Sequence, residues 1–159
     1  MAASEAARSH NVSVALVEQP YRVAGRRSPA PARQLDAAWL AVVAHLCEHD
    51  LSGLRIISGG RSAGARVACR TAGDVGADAV LCLAFPVHPP GKGDDPTKSR
   101  LPELDSVKVP TLVVQGESDP FGMPPDGRNR TVVRIPGNHS LRDGGAVAGA
   151  VSNWLTTIL

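Results

Sequence analysis

Short apolar runs alternate with segments of helical periodicity along the sequence, and this alternation restricts the fold more than any other feature. The runs predicted to be strands are residues 12–17, 54–58, 79–84, 111–115 and 131–135. The segments predicted to be helices are residues 34–49, 63–72, 101–106 and a closing segment that carries Val147, Val151, Trp154 and Ile158. Apolar strands separated by helices are typical of a parallel sheet buried on both faces. The sequence therefore predicts the α/β class, with a mostly parallel sheet and helices on both faces.

The composition indicates a single globular domain over residues 1–159. Apolar residues make up 43% of the chain and charged residues 20%, as in ordinary globular domains. Aromatic residues make up only 3%, so Val, Leu, Ile and Ala must build the core, and a stacking surface for nucleotide bases is not expected. The net charge of +2 is too small to indicate a nucleic-acid partner.

The cysteines and the N-terminal residues indicate the cellular compartment in which the protein is expected. Cys47, Cys69 and Cys82 lie in apolar contexts without Cys-x-x-Cys spacing, which favours buried free thiols in a reducing compartment. The opening MAASEAARSH lacks the apolar segment of a signal peptide, and no apolar run is long enough to span a membrane. We therefore expect a cytoplasmic protein without a membrane partner. The sequence does not indicate an oligomeric state.

Ser62 lies at the junction between the second predicted strand and the helix that follows it. Gly60 and Gly64 flank it in the Gly-x-Ser-x-Gly pattern of a nucleophile elbow. A strand that reverses into a helix this sharply strains the central residue, and glycines two positions away keep the turn open. Such a turn exposes the hydroxyl and places the Ala63 N–H at a helix N-terminus, where it favours a developing oxyanion. The alternative is a plain strand-to-helix turn with a capping serine.

An acid and a histidine follow the last two predicted strands. GESDPFG offers Glu117 and Asp119, and PGNHS offers His139. Residues at the carboxyl ends of parallel strands meet at one edge of the sheet, and serine, acid, histidine is the chain order of one class of hydrolytic triads. The pattern predicts Ser62 as nucleophile, His139 as base and Asp119 as the carboxylate that orients it, with Glu117 as the less favoured acid.

Neither the other histidines nor the glycines indicate a metal or a cofactor. Three histidines, at positions 10, 45 and 49, lie on or near predicted helices, where they most simply face solvent, and His88 is more typical of a turn. No histidine pair has metal-ligand spacing. The glycines around Ser62 do not match the dinucleotide-binding pattern, and no phosphate-binding loop is present. We therefore expect no metal and no cofactor.

The motifs GGRSAGARVA, GESDPFG, PGNHS and FPVHPPGK together resemble the small α/β-hydrolase group that includes testis-expressed protein 30 and bacterial relatives of dienelactone hydrolase. The segment VEQPYRVAGRRSPAP is similar to the bacterial members, so the resemblance covers nearly the whole chain. It implies an α/β-hydrolase fold in which Ser62, Asp119 and His139 match the triad positions. It does not imply a particular substrate.

The N-terminal part departs from that group. Its members begin with further strands, one of which leads into a His-Gly-type loop that supplies a second oxyanion N–H. The resemblance therefore implies an N-terminally shortened α/β-hydrolase fold that lacks its first strands. The Ala63 N–H is then the only oxyanion donor that can be identified.

Two functions are consistent with these observations. The leading prediction is a serine hydrolase that acts on a small-molecule ester, thioester or amide, and the alternative is a non-catalytic α/β-hydrolase-like binding or scaffold module. Arg26 and Arg27 lie in a loop after the first predicted strand, and are expected on the same edge as Ser62. There they would hold a carboxylate or phosphate of the substrate, unless the loop is simply solvated.

Overall fold

A computed structural model of the chain describes residues 2–159, in which four parallel strands form one sheet. In chain order the strands are β1 (Ile57–Arg61), β2 (Ala79–Leu83), β3 (Thr111–Gly116) and β4 (Arg130–Ile135), and they lie side by side in that same order. The helices are α1 (Ala2–Ser9), α2 (Pro20–Val23), α3 (Ala32–Glu48), α4 (Ala63–Thr71), α5 (Leu101–Asp105) and α6 (Gly144–Ile158), with a short 3₁₀ turn at Pro96–Lys98.

Helices cover both faces of the sheet. On one face α4 packs on β1 and β2, and α5 and α3 pack on α4; on the other face α6 packs on β3 and β4, with α1 against α6. The two cores are built mainly from small and branched apolar residues, as the low aromatic content predicts. The predicted α/β fold class, with a parallel sheet and helices on both faces, is confirmed. Within residues 2–159 no helix is long and apolar enough to cross a bilayer.

The prediction of a strand at residues 12–17 is wrong. Asn11 has a left-handed backbone (φ 58°), and the Val12 N–H donates back to the Ala7 carbonyl at the end of α1. Residues 13–17 have no regular secondary structure and form no ladder with β1. Residues 13–16 line, together with β1, a cavity of about 550 Å³, and Leu16 is 62% exposed. A β-rich sequence becomes a strand only where a neighbour supplies ladder hydrogen bonds, and none does here.

The second predicted strand is displaced along the chain. The apolar run predicts a strand over residues 54–58, whereas the pairing runs from Ile57, opposite Ala79, to Arg61, opposite Leu83. Leu54 is 54% exposed. Gly59 and Gly60, which follow the predicted run, pair with Leu81 and Cys82 and are therefore part of β1. At Gly59 the two strands lie so close that a Cβ would be 3.0 Å from the Leu81 carbonyl oxygen.

An ion-pair network joins the three helices on the α4 face. The Arg70 guanidinium donates to both Asp36 carboxylate oxygens at 2.9 and 2.6 Å and to Glu103 at 3.1 Å, and Arg66 donates to Glu103 at 2.8 Å. Burial alone would lower the pKa of Arg70, but the hydrogen bond from Arg70 to Asp36 and the charges of Glu103 and Asp36 outweigh it, so the net pKa is raised. The network therefore ties α3, α4 and α5 together around a permanently charged Arg70.

Two of the three free cysteines meet in the core beneath α4. Cys69 and Cys82 are buried, with their sulfur atoms 3.4 Å apart. The hydrogen bond between these thiols and the burial of the site raise the pKa of Cys82 well above its usual range. Cys82 therefore stays a neutral thiol in the folded protein.

Candidate functional site

The carboxyl edge of the sheet brings Ser62, His139 and Asp119 together. Ser62 follows β1, Asp119 follows β3 and His139 follows β4. The Ser62 Oγ lies 2.9 Å from His139 Nε2, and His139 Nδ1 lies 2.8 Å from Asp119 Oδ2. The Asp119 side chain is fully buried, whereas that of His139 is 22% exposed. The arrangement can pass a proton from a partly exposed hydroxyl to an imidazole held by a buried carboxylate.

The backbone at Ser62 is strained. Its φ of 53° and ψ of −113° lie outside the regions that side-chain-bearing residues normally adopt, at a cost of about 1–3 kcal/mol. The strain is held by hydrogen bonds on both sides, since the Ser62 N–H donates to the Leu83 carbonyl at 2.9 Å and its carbonyl accepts from the Arg66 N–H at 3.3 Å. The turn between β1 and α4 therefore projects the hydroxyl away from both elements.

The two glycines of the motif differ in what requires them. A Cβ at Gly60 would lie 2.4 Å from the carbonyl carbon of Gly64, an impossible contact between backbone segments. A Cβ at Gly64 would meet nothing within 4 Å. The close crossing of strand and helix thus demands glycine at position 60 but leaves space for a side chain at position 64.

Ala63 is the first residue of α4, immediately after Ser62. The first N–H groups of a helix have no acceptor within it and carry the positive end of its dipole. The Ala63 N–H is therefore free to donate to an oxyanion that develops beside Ser62.

The carboxylate that contacts His139 belongs to Asp119 and not to Glu117, which is exposed. Asp119 Oδ1 accepts from the Phe121 N–H at 2.9 Å, and Oδ2 accepts from the side-chain amide of Gln115 at 2.9 Å as well as from His139. Sequence reasoning did not single out Gln115. The available signal was its position, because it is a polar residue at the end of an apolar predicted strand, directly before the GESDPFG segment.

The loop that carries His139 is held by groups that the sequence motifs do not include. The Arg61 guanidinium donates to the His139 carbonyl at 2.9 Å, and the Phe121 ring packs on the imidazole with 4.3 Å between ring centroids. Gly116, at the end of β3, passes so close to this loop that a Cβ there would lie 2.5 Å from the Asn138 carbonyl oxygen. These contacts fix the imidazole between the hydroxyl and the carboxylate.

Arg26 and Arg27 make no polar contact with the triad residues in the part of the chain that the structure describes. Both lie in an exposed segment after α2. The expectation rested on a strand at residues 12–17, which does not form. A substrate-binding role for these arginines stays a prediction.

His88 and His10 have structural contacts. The His88 N–H donates to the Phe121 carbonyl at 3.2 Å, and its ring fills the space beside Gly122, so it supports the acid segment. His10, expected to face solvent, is instead half-buried, with Nε2 2.6 Å from the Ser152 hydroxyl on α6. Across residues 2–159, no three His, Cys, Asp or Glu side chains gather as a metal site would require.

Comparison with solved structures gives the same fold. An α/β serine hydrolase without a lid from Xanthomonas campestris superposes with a TM-score of 0.71 at 20% identity, over 99% of this chain and 72% of that one. A protein of the α/β hydrolase superfamily from Xanthomonas campestris pv. campestris has a TM-score of 0.72 at 17% identity, over 98% and 88% of the two chains. An α/β serine hydrolase homologue from Coxiella burnetii has a TM-score of 0.56 at 18% identity, over 84% and 63%.

Among curated protein sequences no significant match was found. The resemblance to the α/β-hydrolase superfamily is confirmed, while the narrower resemblance to testis-expressed protein 30 and dienelactone hydrolase rests on the motifs alone. The family model of the alpha/beta hydrolase domain matches residues 1–143. On this match and on the shared fold, the chain belongs to the alpha/beta hydrolase domain family.

Proposed function

We propose that this chain is a serine hydrolase that acts on a small ester, thioester or amide. The observation that carries the proposal is the continuous hydrogen-bonded path from Ser62 Oγ through both nitrogens of His139 to Asp119 Oδ2, with distances of 2.9 and 2.8 Å. The strained turn at Ser62 and the membership of the alpha/beta hydrolase domain family support it.

In the first half of the reaction Ser62 is acylated. With the His139 Nδ1–H donated to Asp119, the Nε2 lone pair faces the hydroxyl and accepts its proton as Oγ attacks the substrate carbonyl carbon. Asp119 stays ionised and stabilises the imidazolium. The Nε2–H then protonates the leaving oxygen, sulfur or nitrogen as the tetrahedral intermediate collapses, which leaves an acyl group on Ser62.

In the second half a water molecule takes the place of the leaving group. Nε2 removes a proton from the water as it attacks the acyl carbon, and the same proton returns to Ser62 Oγ as the carboxylic acid departs. In both halves the negative charge on the former carbonyl oxygen is stabilised by the Ala63 N–H. A single donor of this kind contributes a factor of about 100–1000 to turnover.

The proposal is tested with a fluorophosphonate probe, which reacts with activated serines. We expect one label per chain at Ser62, none in Ser62→Ala, and a labelling rate at least about 100-fold lower in His139→Ala, since a general base contributes about 10²–10⁴. Ser106→Ala is the matched control, because it removes an exposed serine at the C-terminal end of α5. It should label like the unmodified chain.

Hydrolysis of p-nitrophenyl acetate, an acyl thioester and an anilide by the same variants identifies the bond type. Equal labelling of the unmodified chain and Ser62→Ala would contradict the proposal. Labelling at Ser62 without turnover of any of the three substrates would favour the non-catalytic binding module instead.

A further inference from the structure

Gln115 is a fully buried amide beneath the acid loop, which we define as residues 117–123. Its Nε2 lies 2.9 Å from Asp119 Oδ2, 2.8 Å from the Gly122 carbonyl and 3.1 Å from the Phe85 carbonyl. All three partners are acceptors, so the amide orientation is determined, because the opposite orientation would place Oε1 against three oxygen atoms.

The other end of the amide has no partner. Within residues 2–159 the Gln115 Oε1 is buried and accepts no hydrogen bond. An unpaired buried amide oxygen destabilises a fold, and the preceding β3 residues Leu112, Val113 and Val114 are fully buried and apolar. Core packing therefore does not explain why a glutamine occupies this position. The hydrogen bonds that its amide nitrogen donates do explain it.

The donor end completes the hydrogen bonding of Asp119. Oδ1 is held by the Phe121 N–H, while Oδ2 accepts from two donors among residues 2–159, His139 Nδ1 and Gln115 Nε2. Without Gln115, the described part of the chain would leave the oxygen that faces the imidazole with His139 as its one hydrogen-bond partner. The same amide ties the acid loop to the segment after β2 through Gly122 and Phe85.

We propose that Gln115 is a positioning residue for the hydrolytic reaction: it holds Asp119 Oδ2 against His139 Nδ1 and the acid loop against the sheet. This inference rests on the proposed function. Gln115 is fully buried and, among residues 2–159, has no hydrogen bond to Ser62, so it acts through Asp119 and affects the chemical step more than substrate binding.

Gln115→Met tests the inference because it keeps the volume of the side chain and removes the donor. We expect kcat for p-nitrophenyl acetate to fall by about 10–100-fold, the usual effect of losing an outer hydrogen-bond partner, with KM changed by less than about threefold. Val113→Ala is the matched control, since Val113 is fully buried two residues earlier on the same face of β3. It should lower the melting temperature and leave kcat within about twofold.

Gln115→Glu adds a pH readout that a structural role would not move. The introduced carboxyl repels Asp119 when ionised but donates one hydrogen bond to Oδ2 when protonated. Its kcat relative to that of the unmodified chain should therefore rise as the pH falls from about 8 to about 5, whereas the relative kcat of Gln115→Met should stay constant.

Ser62→Ala distinguishes a failure of the proposed function from a failure of the positioning role of Gln115. If Ser62→Ala retains the turnover of the unmodified chain, the proposed function fails. If Ser62→Ala is inactive while Gln115→Met keeps full kcat, or Gln115→Glu shows no rise at low pH, the positioning role of Gln115 is overturned and the proposed function stands.

Discussion

Gly116 and Asn138 set the distance between the two loops that hold Asp119 and His139. A Cβ on Gly116 would lie 2.5 Å from the Asn138 carbonyl oxygen and 2.7 Å from that of Gly137. The end of β3 and the loop after β4 therefore touch backbone to backbone, one residue before His139. This contact lets the 2.8 Å hydrogen bond between His139 Nδ1 and Asp119 Oδ2 form.

Gly116→Ala should displace the His139 loop. Because the clash is with backbone, we expect a loss of about 1–3 kcal/mol in the free energy of unfolding and at least about a 10-fold loss of turnover from the misplaced imidazole. Urea denaturation and p-nitrophenyl acetate hydrolysis measure the two effects. Gly149→Ala on α6, where a Cβ meets nothing within 4 Å, is the control and should be neutral or stabilising. Unchanged turnover in Gly116→Ala would contradict this account.

Gly60→Ala and Gly64→Ala should differ sharply although the motif treats the two glycines alike. The Cβ at position 60 would lie 2.4 Å from Gly64, so Gly60→Ala should lose labelling of Ser62 by a fluorophosphonate together with stability. Position 64 is open and helical, so Gly64→Ala should label normally and gain about 0.5–1 kcal/mol. Equal effects of the two substitutions would show that the crossing at Gly60 is not the constraint.

Arg70→Met should loosen the α4 face without altering the site. The substitution leaves Asp36 without its bidentate partner and removes one partner of Glu103. A hydrogen bond to a charged group contributes about 1.5–3 kcal/mol, and because solvent reaches these side chains the three bonds do not add in full. We expect the free energy of unfolding to fall by about 1–3 kcal/mol. Arg55→Met, at an exposed ion pair with Asp78, is the comparison and should cost less than about 1 kcal/mol. If Arg70→Met lowered the free energy of unfolding less than Arg55→Met does, the stabilising role of the Arg70 network would be contradicted.

Cys82 should make stability fall at alkaline pH. Its pKa is raised in the folded state, so above the unfolded thiol pKa of about 8.5 the folded state holds a proton that the unfolded state has lost. The stabilising contribution is complete below that pH and declines above it, by up to about 1.4 kcal/mol per pH unit.

Urea denaturation of the unmodified chain and of Cys82→Ala between about pH 7 and pH 10 measures this contribution, because the difference between the two slopes isolates one thiol. Cys47→Ala, at a half-buried cysteine of α3 that lies outside the Cys69–Cys82 pair, is the comparison variant. Parallel slopes for Cys82→Ala and the unmodified chain would rule out the linkage.

The positions of three strands, the start of α4 and the order of the triad residues follow from the sequence alone, because the pattern of apolar residues and glycines within each segment is sufficient to predict them. The apolar runs that form β2, β3 and β4 lie within a residue of their predicted positions, and α4 begins directly after Ser62 as the glycine pattern indicates. The chain order of Ser62, Asp119 and His139 at the ends of parallel strands is also local information, since a strand's carboxyl end is defined by where its apolar run stops.

Other features depend on which backbone lies alongside, and only the tertiary structure decides them. Residues 12–17 have a strand-like composition but no neighbour with which to pair, and β1 begins at Ile57 because its register follows Ala79 of β2. The choice of Asp119 over Glu117 and the donor role of Gln115 depend on contacts between segments. The hydrophobic pattern of one segment encodes which of its residues are buried. A hydrogen bond between two segments depends instead on their relative position, and that position arises only when the sheet and its loops have packed together.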